Sequence, residues 1–386
     1  MARLRRIALF AEPSPLFINV LMGLKAGFEA LGVEAHAGWP PLSGRNLPAF
    51  LANFQPDAIL EINRSLGHIK DHELAIPHVC WLQDFQYLGQ RLLDDLGGSQ
   101  LVYFMNPPDM FGYDPSGLNA WGYLWPGVNP ALMGPAPQQP DFTWDLSFVG
   151  HIYPPLPAPV AAAPLVVHGT ECGTLADAAA FFDASDFTES AFSVPALFDI
   201  FSGYFTRFGV TVDLRDLDER KLYLFHEVLL RTKGRRHIAD QMLRVSRKLR
   251  FFGSSGWSQW PAFATHYGGD LADPPALQGV YRASALNVHC SIWPFHFRPL
   301  DAMACGGAVM INTVKHPDTD RLFHSQFTPD EDFISYELDE FPDVARRALA
   351  DRAWTDRVRA NAARRIREGH EYRHRAVQIL RDLDAL

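Results

Sequence analysis

His289-Cys-Ser-Ile-Trp-Pro-Phe-His-Phe-Arg-Pro-Leu-Asp-Ala-Met-Ala-Cys-Gly-Gly307 contains the end of a buried strand, a polar loop and a short helix. Apolar runs flank it, Ala285–Cys290 before and Ala308–Asn312 after, so the segment reads as one strand–helix–strand unit. Pro299 suits a first helical turn, and Gly306-Gly307 stops the helix. The spacing predicts a helix over 299–305, with Arg298 just ahead of it and Asp301 in its first turn. Free N–H groups at a helix N-terminus attract anions, and an arginine beside them can fork onto a pyrophosphate. A carboxylate there can accept two vicinal hydroxyls, as on a ribose. The same spacing also allows a plainer arrangement, in which Asp301 complements the helix dipole and Arg298 pairs with it.

The unit has counterparts along the chain. Arg5–Phe10 reads as a strand, and Leu21, Leu24, Phe28 and Leu31 keep helical spacing after it. Further short apolar runs follow at 57–62, 77–82 and 101–105. Pro126, Gly127, Pro130, Gly134, Pro135, Pro137 and Pro140 mark a linker. Beyond it lie strands at Trp144–Gly150 and Leu249–Gly253, separated by a stretch that reads as mostly helical over 174–248. Short buried strands alternating with helices imply parallel sheets covered on both faces. The expected fold class is therefore α/β, with two Rossmann-like doubly wound domains facing a cleft. The N-terminal domain is expected over 1–140 and the C-terminal domain over 141–370, with a helical insertion at about 151–230. Residues 371–386 are expected to form a helix that can cross back to the first domain. GxGxxG is missing from the opening unit, so a dinucleotide is not indicated.

Composition narrows the function. The 386 residues carry 35 basic and 44 acidic side chains, a net charge of −9, which argues against nucleic acid as a partner. Cys80, Cys172, Cys290 and Cys305 are far apart with no CxxC pair, which points to reduced thiols in a cytoplasmic setting. The first apolar stretch is too short for a signal peptide, and no run is long enough to span a bilayer. Residues 346–375 hold ten arginines against four acids. They read either as a solvated helix face or as a peripheral contact with an anionic membrane.

Arg298-x-x-Asp-Ala-x-Ala-Cys-Gly-Gly307 resembles the donor-site motif of GT-B glycosyltransferases, with Asp301 where that motif usually has Glu. It is most similar to the CgeB-like (spore-maturation-protein-B-like) branch of the glycosyl transferases group 1. Leu124–Pro130, Asp145–Gly150, Leu249–Trp257 and His370–Arg375 resemble further pieces of that family in the same order. The likeness covers roughly 100–150 and 232–380, is weak over 1–95 and is lost over about 151–230.

The resemblance implies transfer of a sugar from a nucleotide-sugar donor to a hydroxyl of a glycan, protein or small-molecule acceptor, with no metal or other cofactor. The expelled diphosphate must then be met by cations and backbone N–H groups. Arg298 and the helix start can do so, with Ser291 in the preceding loop and Gly306 and Gly307 closing the motif. Gly150, His151 and Gly253 belong to the matching strand ends; His151 can touch the diphosphate or merely cap its turn. Lys233 and Arg236 offer a second cation, or form part of a solvated arginine-rich helix. Asp84, at the end of the strand 77–82, is the candidate catalytic base, or a local cap. Glu12–Asn19 is expected to be a loop near the acceptor.

Other motifs fail. DxD occurs at 216–218, 318–320 and 382–384, three times in an acidic chain and never directly after a buried strand. HExxH, the Walker loop and GxSxG are missing, and His and Cys show no metal-ligand spacing. Two other functions fit the same scaffold: a nucleotide-sugar epimerase and a catalytically silent nucleotide-sugar-binding protein.

Overall fold

The structure is a computed structural model that describes residues 4–386 except 45, 70–73, 85, 88, 89, 92, 94, 135–140, 189, 190, 192, 214–223 and 272; the side chains of 86, 87, 90, 91, 226 and 227 also lie outside it. Pro135, Pro137 and Pro140 of the expected linker, and the DxD at 216–218, therefore fall outside the described residues.

Six strands form the first sheet: β1 (Arg6–Phe10), β2 (Glu34–Gly38), β3 (Ala58–Ile62), β4 (His78–Leu82), β5 (Leu101–Phe104) and β6 (Trp121–Tyr123). They pair in parallel in the order β2-β1-β3-β4-β5-β6. Helix α1 (Pro15–Glu29) starts where Ser14 Oγ accepts from the Phe17 amide at 3.1 Å and Pro15 takes the first position. The loop after β1 is thus shorter than expected, since residues from Pro15 onward are helical. Helix α2 (Asn46–Phe54) covers the other face. Ile7, Leu9, Leu60, Val79 and Trp81 are fully shielded in the core. Burying each large apolar side chain contributes about 1.5–3 kcal/mol.

The second sheet holds β7 (Trp144–Val149), β8 (Leu249–Phe252), β9 (Tyr267–Gly269), β10 (Ser284–His289), β11 (Val309–Asn312) and β12 (Ile334–Tyr336). All pairs are parallel, in the order β9-β8-β7-β10-β11-β12. The strand order reverses between β7 and β10, the point where sheets of this kind bind ligands at their carboxyl ends. The edge strands β6, β9 and β12 did not show in the sequence; each is three residues long.

Between β7 and β8 lies the insertion. A two-stranded antiparallel hairpin, Pro164–Val167 with Thr170–Thr174, opens it, followed by α3 (Leu175–Asp183) and α4 (Val194–Thr206). Its core gathers Phe182, Phe201, Tyr204, Phe205 and Phe225. Met110 of the first domain and Ile292 of the second share that cluster. The insertion therefore bridges both domains along one side of the cleft. A wide helical turn (Leu224–Leu230) leads into α5 (Arg231–Val245).

The remaining helices are α6 (Pro274–Ala283), α7 (Phe297–Ala304), α8 (Pro317–His324), α9 (Phe341–Ala350), α10 (Arg352–Gly369) and α11 (Tyr372–Asp384). Helix α11 packs on the first domain, where Tyr372, Ala376, Ile379 and Leu383 enter its core. Tyr103 Oη donates to Asp382 at 2.7 Å, and Gln378 Nε2 to the Tyr123 carbonyl at 2.7 Å. The arginine-rich stretch is largely engaged within the chain. Arg346, Arg352, Arg359, Arg364, Arg365 and Arg373 all face acids within 3.5 Å. Among the described residues no helix is long and apolar enough to cross a membrane.

Candidate functional site

The β10–α7 loop is held from behind. The Ser291 amide donates to Asn312 Oδ1 at 2.8 Å, and Asn312 Nδ2 donates to the Ser291 carbonyl at 3.0 Å. Ser291 Oγ accepts from the Trp293 amide at 3.2 Å, and Tyr336 Oη donates to the His289 carbonyl at 2.8 Å. Ser291 is thus buried and occupied in shaping the loop.

Helix α7 begins two residues earlier than the sequence implied. His296 is its N-cap, with Nδ1 accepting from the Arg298 amide at 3.4 Å, so Arg298 sits inside the first turn. Asp301 lies a turn further on, because no acid occupies the first turn. The Arg298–Asp301 pair that the spacing also allowed is not made: among the described residues neither side chain has a hydrogen-bond or ion-pair partner within 4 Å. Both keep partial solvent contact yet lie deep in the cleft. Burial pulls the Arg298 guanidinium down to about 10. Burial pushes the Asp301 carboxyl up to about 8, opposed by Arg298. A cation set at the positive end of a helix is favourable only when an anion joins it.

Two further arginines converge on Arg298 and the histidines. Arg231 and Arg235 act electrostatically on Arg298 and His296, and Arg235 also on His289. Arg235 is 5% exposed and lies 4.9 Å over the Phe148 ring. The rings of His289 and His296 are 5.6 Å apart. Burial first, then the arginines, hold both far below the ordinary imidazole range, His289 at about 3. Both are therefore neutral at physiological pH.

Lys233 and Arg236 point elsewhere. Lys233 Nζ donates to the carbonyls of Phe182 and Ser185 at 2.9 and 2.6 Å. Arg236 pairs with Asp183 at 3.0 Å and lies 4.9 Å over the Trp260 ring. They fasten α5 to the insertion. A helix repeats every 3.6 residues, so residues four apart share a face and 233 and 236 diverge from it. The buried stripe Arg235, Ile238, Ala239 and Met242 was the available signal: it puts Arg235 on the sheet-facing side.

The glycines split by role. Gly306, at φ +77°, and Gly307 end α7 with amides donating to the Met303 and Ala302 carbonyls at 3.0 and 2.8 Å. They lie at the opposite end of the helix from Arg298 and serve to terminate it. Gly253, at φ +119°, sits where a Cβ would collide with the Gly150 carbonyl. That carbonyl also accepts from Trp257 Nε1 at 2.8 Å. Gly150 and Gly253 thus bring the ends of β7 and β8 together. His151 follows β7 at the order reversal, its ring edge-on to Tyr153 with centroids 4.5 Å apart.

On the opposing sheet, Asp84 follows β4 and is exposed. Its Oδ2 accepts from Asn63 Nδ2 at 2.9 Å, and Asn63 Oδ1 accepts from the Gln83 amide at 2.7 Å. Asn63 has φ +57°, a left-handed conformation that lets it hold this loop.

A cavity of about 220 Å³ joins the domains. Leu16 and Asn19 of α1, Asn129 of the linker, and His296, Arg298 and Asp301 of the second domain line it. Among the described residues no group of three or more His, Cys, Asp or Glu is placed to hold a metal ion. Three of the four acids in the two described DxD motifs are engaged: Asp318 and Asp320 pair with Arg321 and His324, and Asp382 accepts from Tyr103.

Residues 231–381 match the family model described as glycosyl transferase-like. No curated protein matches the chain. Among solved structures, Anabaena Alr3699/HepE in complex with UDP-glucose is 11% identical, covering 98% of this chain and 100% of its own, with a TM-score of 0.53. A glycosyltransferase from Rickettsia africae ESF-5 is 8% identical over 99% and 98% of the two chains, with a TM-score of 0.49. WaaG, a glycosyltransferase involved in lipopolysaccharide biosynthesis, is 10% identical over 98% and 99%, also at 0.49. The first of these gives the fold, and the matched segment contains α5, the β10–α7 loop and α7. The chain thus has the GT-B fold, and its segment 231–381, within the C-terminal domain, is glycosyl transferase-like.

Proposed function

We propose that the protein moves a glycosyl group from a nucleotide-sugar to an acceptor hydroxyl, using its own arginines in place of a metal. The carrying observation is Arg298, without a protein partner in the first turn of α7 and lining the interdomain cavity beside Asp301. In this reading the leaving diphosphate lies on the amides of α7, with Arg298 forking onto it and Arg231 and Arg235 adding positive charge. Neutral His289 and His296 add no competing charge. Asp301 accepts from the ribose, at some distance from the reacting carbon. Asp84, held by Asn63, takes the proton of the acceptor hydroxyl. Acceptors of glycan, protein or small-molecule type enter from the first domain, and the insertion walls one side of their path.

Membership of the CgeB-like branch is part of the proposal and rests on the order of the motif segments. A cytoplasmic location rests on four buried free thiols. A membrane contact through 346–375 draws little support, because so many of its arginines are already paired. The test is incubation of the protein with labelled nucleotide-sugars, without acceptor, in EDTA. Slow release of free sugar supports the transferase, epimer formation supports an epimerase, and binding alone supports a silent protein. Activity lost in EDTA and restored by Mn²⁺ or Mg²⁺ defeats the metal-free mechanism.

A further inference from the structure

Tyr372 opens α11 at the place where α1, the linker and α7 meet. Three glycines make room for it. A Cβ on Gly23 of α1 would collide with one edge of its ring, and a Cβ on Gly127 of the linker would lie 2.6 Å from Cδ1 on the other. Gly27 is equally confined by the Tyr372 backbone, whose carbonyl oxygen would be 2.9 Å from a Cβ there. The ring is therefore wedged between the first domain and the hinge, and Tyr372 is 4% exposed.

The surrounding hinge is tied to the same helix. The Val128 amide donates to the His370 carbonyl at 2.8 Å, and the Tyr372 amide returns to the Val128 carbonyl at 3.1 Å. Arg375, one turn on, donates to the Trp125 and Pro126 carbonyls at 2.9 and 3.0 Å. Phe297, beside Arg298, is buried in the same cluster as Tyr372.

Packing explains the ring but not the hydroxyl. Among the described residues no hydrogen bond holds Tyr372 Oη, although the residue lines the cavity with Arg298 and Asp301. Burial, then the Asp301 carboxylate, keeps its ionisation well above the ordinary phenol range. The phenol therefore stays a proton donor across the working pH range, within electrostatic reach of Asp301. At about 220 Å³ the cavity is smaller than the ~300–1,000 Å³ usual for a whole small-molecule site, so it suits one portion of a donor.

We propose that the Tyr372 hydroxyl binds the ribose of the donor nucleotide, so that the sugar of the nucleoside is held between Asp301 of the second domain and the hinge-borne helix. This rests on the donor reading given above. One ribose hydroxyl donates to Asp301, and an oxygen of the same ribose accepts from Tyr372. Because Tyr372 is wedged against α1 and the linker, filling the cavity draws the two domains into one fixed relation. Donor affinity and the interdomain angle become linked quantities.

The experiment titrates UDP, GDP, ADP and dTDP into the full chain by calorimetry, then follows the tightest one. Tyr372→Phe keeps the wedge and removes only the hydroxyl, so its melting temperature without nucleotide is expected to match the parent. Its Kd is expected to weaken roughly 2–12-fold, as for one hydrogen bond. Forms lacking the 3′- or, for a ribonucleotide, the 2′-hydroxyl give the specific readout. For one of them the penalty is expected to shrink in Tyr372→Phe, because the partner is already gone. An unchanged Kd in Tyr372→Phe, with Arg298→Ala weakened, overturns this inference and leaves the donor reading standing. A uniform weakening with unchanged deoxy penalties also overturns it and makes Tyr372 structural. If no nucleotide binds the parent, or Arg298→Ala binds normally, the donor reading fails and the inference with it.

Discussion

The two sheets of this protein share one construction and carry opposite chemistry. In the second domain, α5, α7 and the end of β10 bring together Arg231, Arg235, Arg298 and two neutral histidines. In the first domain, the equivalent ends present Asn63 and the exposed Asp84, with no comparable cationic cluster among the described residues. A parallel sheet supplies a place for a ligand, and the loops alone decide which ligand. A cationic cluster on one sheet and a carboxylate on the other suit a reaction that expels an anion on one side and removes a proton on the other.

The sharpest way to break that contrast is to neutralise the acidic side. Asp84→Asn is expected to lower kcat by about 10²–10⁴-fold, the usual contribution of a positioned general base, with donor KM little changed. Steady-state kinetics with an acceptor checks this. An equal loss in both parameters would point to the Asn63 tether and a structural Asp84.

Next in size is the basic side. A charge-assisted bond contributes on the order of 1.5–3 kcal/mol, so Arg298→Ala is expected to lower kcat/KM by roughly 10–150-fold. Calorimetric donor affinity should fall in step; unchanged affinity would make the α7 motif structural.

A third comparison lies within one helix. Arg235→Ala is expected to weaken donor binding several-fold, less than Arg298→Ala, because it adds charge without a direct hydrogen bond to the donor. Lys233→Ala is expected to lower the melting temperature and leave donor affinity alone. The reverse outcome would mean that α5 presents its other face to the ligand.

The smallest effect is a slope. Asp301 is raised in the folded state to about 8, so the folded protein holds a proton that the unfolded chain releases near the ordinary ~3.9. Stability from this group is complete at low pH and falls as pH rises from about 4 through about 8. Melting curves of the nucleotide-free protein should show that decline, and Asp301→Asn should flatten it. His289, at about 3, acts oppositely: its contribution is present above ~6.5 and is lost as pH falls toward 3. A variant with the slope unchanged would place the proton on another group.

What the sequence disclosed follows from what each signal depends on. The inner strands were legible because burial on both faces makes continuous apolar runs, as in Ile7–Phe10 and Val79–Leu82. The three-residue edge strands carry too little of that pattern. The Arg298–Asp301 spacing was visible, but the start of α7 was not. Pro299 looked like a first residue, while the actual N-cap is a histidine, whose ring nitrogen serves in place of the usual Ser, Thr, Asp or Asn. The hairpin 164–174 was hidden in a stretch expected to be a helical insertion. The choice among Arg231, Lys233, Arg235 and Arg236 turned on which side of α5 docks, a property of the sheet beneath it.

The return of α11 makes assembly of the first domain non-local. Its strands are complete by Tyr123, yet Ala376, Ile379 and Leu383 belong to its core. A nascent chain that has finished β6 therefore exposes an apolar groove beside α1 throughout synthesis of the second domain. Contacts of such long sequence separation close late and slow folding, and uncovered apolar surface invites association meanwhile. The two domains are separable on a topology diagram, but not as expressed fragments.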